Sequence, residues 1–457
     1  MSSRSARVLY QRTGVLKLMG RGMSTAAQPR SQADFLKGEP HRKHPGVINL
    51  KTLRLPEELQ TAARSIIHRA QVAHLPERAV RLTNFLWSRK RAVEDTALRQ
   101  KAVSMEKELW EKALQKKGDI DEEALEDRIK RKVLSELRRT TYHWTTMKYD
   151  EETGVVYMAS RLAGGYAAVR RALNEIKKRD PTFAPQSLLD FGSGLGTVVW
   201  ASHSCWADSL KEMVCVDSSG PMNILAEQLL KGDDDRAQPL IKHVYFRQFL
   251  PVSPKVQFDL VVAAFTLSEL PNVKEREEAV LTLWRKTSSY LVLVENGTKE
   301  GHHILMEARD TLLKKQEKII YDSRPASVFA PCPHELMCPK LALEPTVPCN
   351  FQQLYQPLPL PGHNERQIEK FSFLILTRSG PAETTGGVDW ARLVAPVLRK
   401  TRHVHCRMCC PNGQLQHVVV TARKHSRDVY RCARSSDWGD QLPVIQRLQE
   451  DAQSDSE

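Results

Sequence analysis

The chain has 457 residues, 41% hydrophobic and 27% charged, which excludes a low-complexity or fibrous protein and leaves room for two or three domains. No run approaches the roughly 18 consecutive apolar residues of a membrane span, so neither a crossing helix nor a membrane partner is expected. A formal net charge of +14 points to a polyanionic partner, nucleic acid before others, with an ordinary basic enzyme as the alternative.

Residues 1–33, "MSSRSARVLYQRTGVLKLMGRGMSTAAQPRSQA", carry Arg4, Arg7, Arg12, Lys17, Arg21 and Arg30, and the first acid is Asp34. Arg-rich, Ser-containing and acid-free sequence without a long apolar stretch predicts a mitochondrial transit peptide and import into the matrix; a disordered basic tail is the alternative. Nine cysteines in a matrix protein argue for metal or cluster binding over disulfides.

A helical N-terminal region is expected over 45–180. In "ALEDRIKRKVLSELRR", Leu125, Ile129, Val133 and Leu137 recur at helical spacing as a narrow apolar stripe. The remaining surface, with Arg128, Lys130, Arg131, Lys132, Arg138 and Arg139, is either a solvated face or a contact for RNA phosphates.

Over 181–380 the register changes. "SLLDFGSG", "EMVCVDSS", "HVYFRQFLP", "QFDLVVAAF" and "SSYLVLVENG" read as strands, several of them separated by helical patterns such as "PMNILAEQLLKG" and "REEAVLTLWRKT". That alternation predicts an α/β domain with helices on both faces of a parallel sheet. "HHILMEARDTLLKKQEKII" reads as a further helix and "KFSFLILTRS" as a late strand, with a cysteine-containing insertion at 325–350 between them. Residues 381–445 read as a β-rich extension of short strands, "CPNG" marking a hairpin, and 446–457 as an acidic, disordered tail.

Asp190, Gly192, Gly194 and Gly196 form D-x-G-x-G-x-G directly after an apolar strand, with Ser193 inside the turn. Such glycines let backbone turn sharply and approach a ligand. Asp217 ends the next strand, some twenty residues on, where an acid takes up the hydroxyls of an adenosine ribose. Nicotinamide-dinucleotide proteins share this logic, but an acid ahead of the first glycine is the arrangement of class I (Rossmann-like) methyltransferases that bind S-adenosylmethionine. The chemical half is not visible. After the fourth strand "AAFTLSELPN" lacks an N/D-P-P-Y/F motif, and Cys205 and Cys215 read as structural, so no catalytic residue is assigned.

The stretch "PCPHELMCPK" holds Cys332 and Cys338 between prolines, and Cys349 follows in "TVPCNF". Cys406, Cys409 and Cys410 lie in "HVHCRMCCPNG" and Cys432 in "YRCAR". Only Cys406-x-x-Cys409 has the form of a zinc knuckle. The wider gaps suit a loop wrapped around something larger, and four thiolates are what an iron–sulfur cluster takes. Spacing alone leaves iron–sulfur, zinc and unconnected thiols open, with His334, His403 and His405 as further candidates for zinc.

The basic leader, "SLLDFGSGLGT", "AAFTLSEL", "VENGTKEGHHIL", "APCPHELMCP", "HVHCRMCCPNG" and "YRCARSSDWGD" together resemble the Rsm22 family of mitochondrial small-ribosomal-subunit factors, over essentially the whole chain after the leader. The resemblance implies a methyltransferase-like fold that can bind S-adenosylmethionine through Asp190, Gly192, Ser193, Gly194, Gly196 and Asp217, without enzymatic activity. It implies a four-iron four-sulfur (4Fe-4S) cluster on Cys332, Cys338, Cys349 and Cys406, with Cys409 and Cys410 as rivals for the fourth position. It also implies a role in assembling the mitochondrial small subunit on its rRNA, in support of mitochondrial translation and among small-subunit ribosomal proteins and assembly factors. A cluster bridging insertion and extension would supply folding free energy to both. Arg399, Lys400, Arg402, Arg407, Arg423, Lys424 and Arg427 would then form a basic surface for RNA phosphates. The competing expectation is an active rRNA methyltransferase.

Overall fold

The computed structural model describes residues 34–443, apart from 116–120, 143, 233–235, 254, 315–321, 361–364 and 379–388; the expected leader and the acidic tail lie outside the described residues. The short runs of apolar, β-branched residues become strands. They are β1 (Ser187–Phe191), β2 (Glu212–Val216), β3 (Val244–Arg247), β4 (Phe258–Ala264) and β5 (Thr287–Asn296). They are buried on both faces except at the edge strand β3, which buries no residue fully. Three more follow: β6 (Ser327–Ala330), β7 (Phe351–Tyr355) and β8 (Gln367–Thr377). The sheet runs β3-β2-β1-β4-β5-β8-β6, with β1 to β5 parallel and β8 antiparallel to β5. An antiparallel strand inserted beside β5 is the order of the class I methyltransferase fold, and the chain has that fold.

Strands β6 and β7 went unread because four or five half-apolar residues give no usable period. They pair with opposite ends of β8, so the cysteine loop 331–350 is the connection between two strands on one partner.

Among the described residues five α-helices precede β1: α1 (Glu57–Ala70), α2 (Leu75–Ser88), α3 (Asp95–Leu114), α4 (Glu122–Thr140) and α5 (Glu151–Arg179). Helix α5 explains itself. Asp150 caps its N-terminus, accepting from the Thr153 N–H at 2.8 Å, with Glu151 and Glu152 in the first turn and Lys177, Lys178 and Arg179 in the last. Its small residues let it lie close to the sheet. A Cβ on Gly164 would come within 2.4 Å of the Glu369 carboxylate. Helices α3 and α4 pack on each other: α3 buries no residue fully, and α4 buries only Ile129 and Val133 of its stripe.

Helices α6 (Thr197–Trp206), α7 (Gly220–Lys231), α8 (Val273–Arg285) and α9 (Lys299–Lys314) clothe the sheet. One core forms between the sheet and α1, α5, α6 and α7, and a second between the sheet and α8 and α9. A third core lies in the C-terminal extension, where β9 (Trp390–Leu393), β10 (Leu398–Arg399), β11 (Val404–Cys409), β12 (Leu415–Val420) and β13 (Gln441–Pro443) make a second sheet. This extension also contains α10 (Ala422–His425) and α11 (Arg427–Ser435), which the sequence reading had not separated from its strands. A strap at 44–53 ties it to the main domain. Ile48 and Asn49 donate backbone N–H groups to the Asp440 carboxylate at 2.8 and 2.9 Å, and Asn174 of α5 donates to the Ile48 carbonyl.

Candidate functional site

The glycine turn follows β1. Gly192, Gly194 and Gly196 have φ of +71°, +50° and +70°, a region that favours glycine. The Gly192 and Ser193 N–H groups donate to the Val216 carbonyl at 2.7 and 3.1 Å, closing the turn against the end of β2. A Cβ on Gly192 would lie 2.2 Å from the Thr266 hydroxyl, so strand β4's exit also abuts the turn.

The two acids behave differently. Asp217 accepts from the Gly194 and Ser219 N–H groups, both at 2.8 Å, and so braces the turn with both carboxylate oxygens. Asp190 is fully buried and neither of its oxygens has a hydrogen-bond partner among the described residues. Burial first, then the neighbouring Asp217, push its carboxyl well above the usual range. An unpartnered carboxyl in a glycine cradle has the chemistry to receive a cationic or hydrogen-bond-donating ligand.

Side chains cross the carboxyl ends of β4 and β5. Arg161 of α5 donates to Glu369 at 3.0 and 3.2 Å and to Asn296 at 3.2 Å, and stacks over Phe265. Glu269 accepts from Arg89 and from the Tyr149 hydroxyl. Beneath them Glu295 is buried; burial foremost pushes it up to about 7, although it accepts from the Ser268 N–H. Glu295 was not singled out from the sequence. Only its position at the end of an apolar strand could have marked it.

The second group of residues is the cysteines. Burial first, then the Cys349 and Cys338 sulfurs, push the Cys332 thiol up to about 12. Burial raises Cys349 to about 11 against the pull of Lys340. Burial also raises Cys409, and the next influences on it are Cys332, Cys349 and Cys338. These four thiols are therefore electrostatic neighbours, and the Cys409 sulfur meets the loop directly at His334.

Cys406 is not among them. It is fully buried in the third core with Val404, Met408 and Cys432, and its one charged influence is Arg399. Strand alternation is the reason: β11 turns Val404, Cys406 and Met408 to the core and Cys409 to the opposite side, across from Arg392. The signal was present in "VHCRMC", where apolar residues alternate with His405 and Arg407. Cys410 also belongs to the third core, at the hairpin where its N–H donates to the Gln414 carbonyl. His403 and His405 meet edge to face, their ring centroids 5.0 Å apart.

Three buried cations hold the loop around the thiols. Arg392 donates to the Pro331 carbonyl at 3.0 Å and pairs with Glu175 through both terminal nitrogens, at 2.7 and 3.0 Å. Arg309 of α9 donates to the His334 and Leu336 carbonyls at 3.1 and 2.7 Å. Lys340 bridges the Pro348 and Val394 carbonyls. Among the described residues no three His, Cys, Asp or Glu side chains close on a single metal ion.

The basic residues of the extension form an exposed set. Arg399, Lys400, Arg402, Arg407, Arg423, Lys424 and Arg427 are all exposed, on β10, β11, α10, α11 and their turns. On α4, Lys130 and Arg139 are partly neutralised by Glu126 and Glu136.

A family model described as "Mitochondrial small ribosomal subunit Rsm22" matches residues 151–443, which span glycine turn and thiols alike. The chain is 50% identical over 418 residues to the ribosome assembly protein METTL17, mitochondrial, of Homo sapiens, covering 92% of this chain and 89% of that protein. The ribosome assembly protein RSM22, mitochondrial, of Saccharomyces cerevisiae is 22% identical over 417 residues, 62% of this chain and 66% of that one. Among solved structures, magnesium protoporphyrin IX methyltransferase from Synechocystis with bound S-adenosylmethionine has a TM-score of 0.30 and 14% identity, covering 58% of this chain and 100% of that chain. So low a score adds nothing to the fold, which rests on the strand order and the glycine turn.

Proposed function

Because the chain belongs to the Rsm22 family of mitochondrial small ribosomal subunit proteins, we propose that it acts in the matrix as an assembly factor of that subunit, binding its rRNA without transferring methyl groups. Its partners are then the small subunit's rRNA, ribosomal proteins and fellow assembly factors. Residues 1–33 serve as the import leader and 181–380 as a methyltransferase-like platform, with 381–445 as the RNA-facing extension.

The observation that carries this reading is the convergence of loop and extension on one group of thiols, with exposed cations on the same extension. We assign Cys332, Cys338, Cys349 and Cys409 as ligands of a four-iron four-sulfur cluster. The donor set fits: four cysteines and no carboxylate, with the thiols of Cys332, Cys349 and Cys409 raised by burial and in need of positive charge to ionise. Arg309, Lys340 and Arg392 add cations that favour the thiolates. A single zinc, the rival, would need all four sulfurs to close on one point, and among the described residues no three ligating side chains do so; an iron–sulfur cluster would be held by the same four cysteines. When bound, the cluster supplies covalent ties between loop and strand β11. The chain's own side chains do the rest: Arg309 and Lys340 hold the loop's course, and Arg392 joins loop to α5.

The glycine turn fits an adenosyl cofactor in the same sense. Asp190 offers an unpartnered carboxyl, and the three glycines leave room for backbone approach. The Arg161–Glu369 and Arg89–Glu269 ion pairs lie at the carboxyl ends of β4 and β5 and tie up the charged side chains there, which supports binding without transfer.

Sedimentation of mitochondrial small subunits from cells expressing Arg402→Glu, Arg407→Glu and Lys424→Glu together tests the RNA surface. Association should be lost, and in purified form the dependence of RNA binding on salt should flatten by roughly one unit per contact removed. Co-sedimentation equal to wild type would rule that surface out. The second reading, an active rRNA methyltransferase, is favoured by Asp190 and by Glu295, whose carboxyl at about 7 suits a base. Transfer of labelled methyl groups to small-subunit RNA, abolished by Asp190→Ala, would establish it.

A further inference from the structure

Two buried histidines touch the thiols from different elements. His302, on α9, brings Nε2 to 3.7 Å from the Cys338 sulfur, and His334, in the loop, brings Nε2 to 3.3 Å from the Cys409 sulfur. In both rings the other nitrogen, Nδ1, is buried without a hydrogen-bond partner among the described residues. Leucine or methionine would fill either space without the cost of an orphaned buried nitrogen. The same costly arrangement, reached independently from a helix and from a loop, points to a function for the Nε2 side.

A metal-bound thiolate carries no proton and can only accept. At each contact the imidazole must then be the donor, and the thiolate selects the tautomer with its proton on Nε2. Two of the four proposed ligands thus receive a side-chain N–H, one from each half of the site: Cys338 in the loop and Cys409 on β11.

We propose that His302 and His334 are positioning residues that set the reduction potential of the cluster, as a pair of N–H···S donors favouring its reduced state. The inference rests on the cluster reading above. One electron added to the cluster makes the thiolate sulfurs more negative, and a donor aimed at them stabilises that state more than the oxidised one. The reductant in the test is dithionite; no proton transfer and no change of ligands is involved.

The experiment is a potentiometric titration of anaerobically purified full chain, followed by electron paramagnetic resonance of the reduced cluster. It compares wild type with His302→Leu, His334→Leu, the double variant, and His302→Gln and His334→Gln, whose amides restore an N–H near the Nε2 position. Each Leu variant should lower the potential. The double variant should do so by about tenfold in the reduced-to-oxidised ratio at a fixed potential, or 59 mV for a one-electron couple. Iron and sulfide contents should stay at wild-type level, and the Gln variants should recover most of the shift. If leucine leaves the site too empty to hold the cluster, methionine at the same positions gives the same readout. An unchanged potential in a fully loaded double variant overturns this inference and leaves the cluster intact; a wild-type chain without iron and sulfide removes the cluster reading itself.

Discussion

At the residue scale, the molecule turns on which buried polar groups have partners. Asp217 uses both oxygens on backbone N–H groups, whereas Asp190, one strand away, has no hydrogen-bond partner among the described residues. Both acids were legible in the sequence, because the turn that holds them is local. Their division of labour was not, since it depends on which N–H groups the folded turn presents. Glu295 carries a consequence for stability. Its folded value of about 7 lies above the ordinary 4.5, so the stability it contributes is full below pH 4.5 and is lost as pH rises through 7. Glu295→Gln should flatten that part of the curve. Chemical denaturation of wild type and variant between pH 4.5 and 8 checks it: the variant should gain on wild type as pH rises, and parallel curves would show that Glu295 is not the group responsible.

At the scale of elements, the glycine turn and helix α9 do the positioning. Gly192→Ala puts a methyl within 2.2 Å of the Thr266 hydroxyl at a φ of +71°. It should cost at least 1–2 kcal/mol of stability and remove binding of S-adenosylmethionine by calorimetry. Wild-type affinity in that variant would mean the turn does not form the cradle. Arg309→Met tests α9, from which two loop carbonyls take their hydrogen bonds. Amide exchange across 331–340 should quicken and cluster retention fall, with the amides of β1, β4 and β5 unchanged; equal slowing or quickening everywhere would mean Arg309 stabilises the whole domain. Periodicity made β1 to β5, α4 and β8 readable, because each is long enough or apolar enough to show its period. It gave no usable signal for β6 and β7, and spacing does not weigh strand face, which separates the two candidates for the fourth cysteine. Cys406 and Cys409 sit three residues apart on one strand, and that odd separation puts them on opposite sides.

Over the whole molecule, the first and third cores are joined where Glu175 of α5, beside Arg171 and Arg179 of the same helix, meets Arg392 of β9. Burial alone would raise its carboxyl, but Arg392 and Arg171 outweigh it and hold it below the ordinary value. Glu175→Gln leaves two buried guanidinium groups undercompensated and should cost about 3–5 kcal/mol by chemical denaturation. It should also loosen the cysteine loop, since Arg392 is the link between them. A loss under 1 kcal/mol would show the junction to be incidental. The central claim is that four thiols, Cys409 among them, bind a cluster that fastens the RNA-facing extension to the methyltransferase-like platform. Its most direct measurement is iron and labile sulfide in anaerobically purified wild type, Cys406→Ser and Cys409→Ser. About four of each per chain in wild type and in Cys406→Ser, with loss of both in Cys409→Ser, is the predicted result. Zinc without sulfide in wild type, or a full cluster in Cys409→Ser and none in Cys406→Ser, would contradict it.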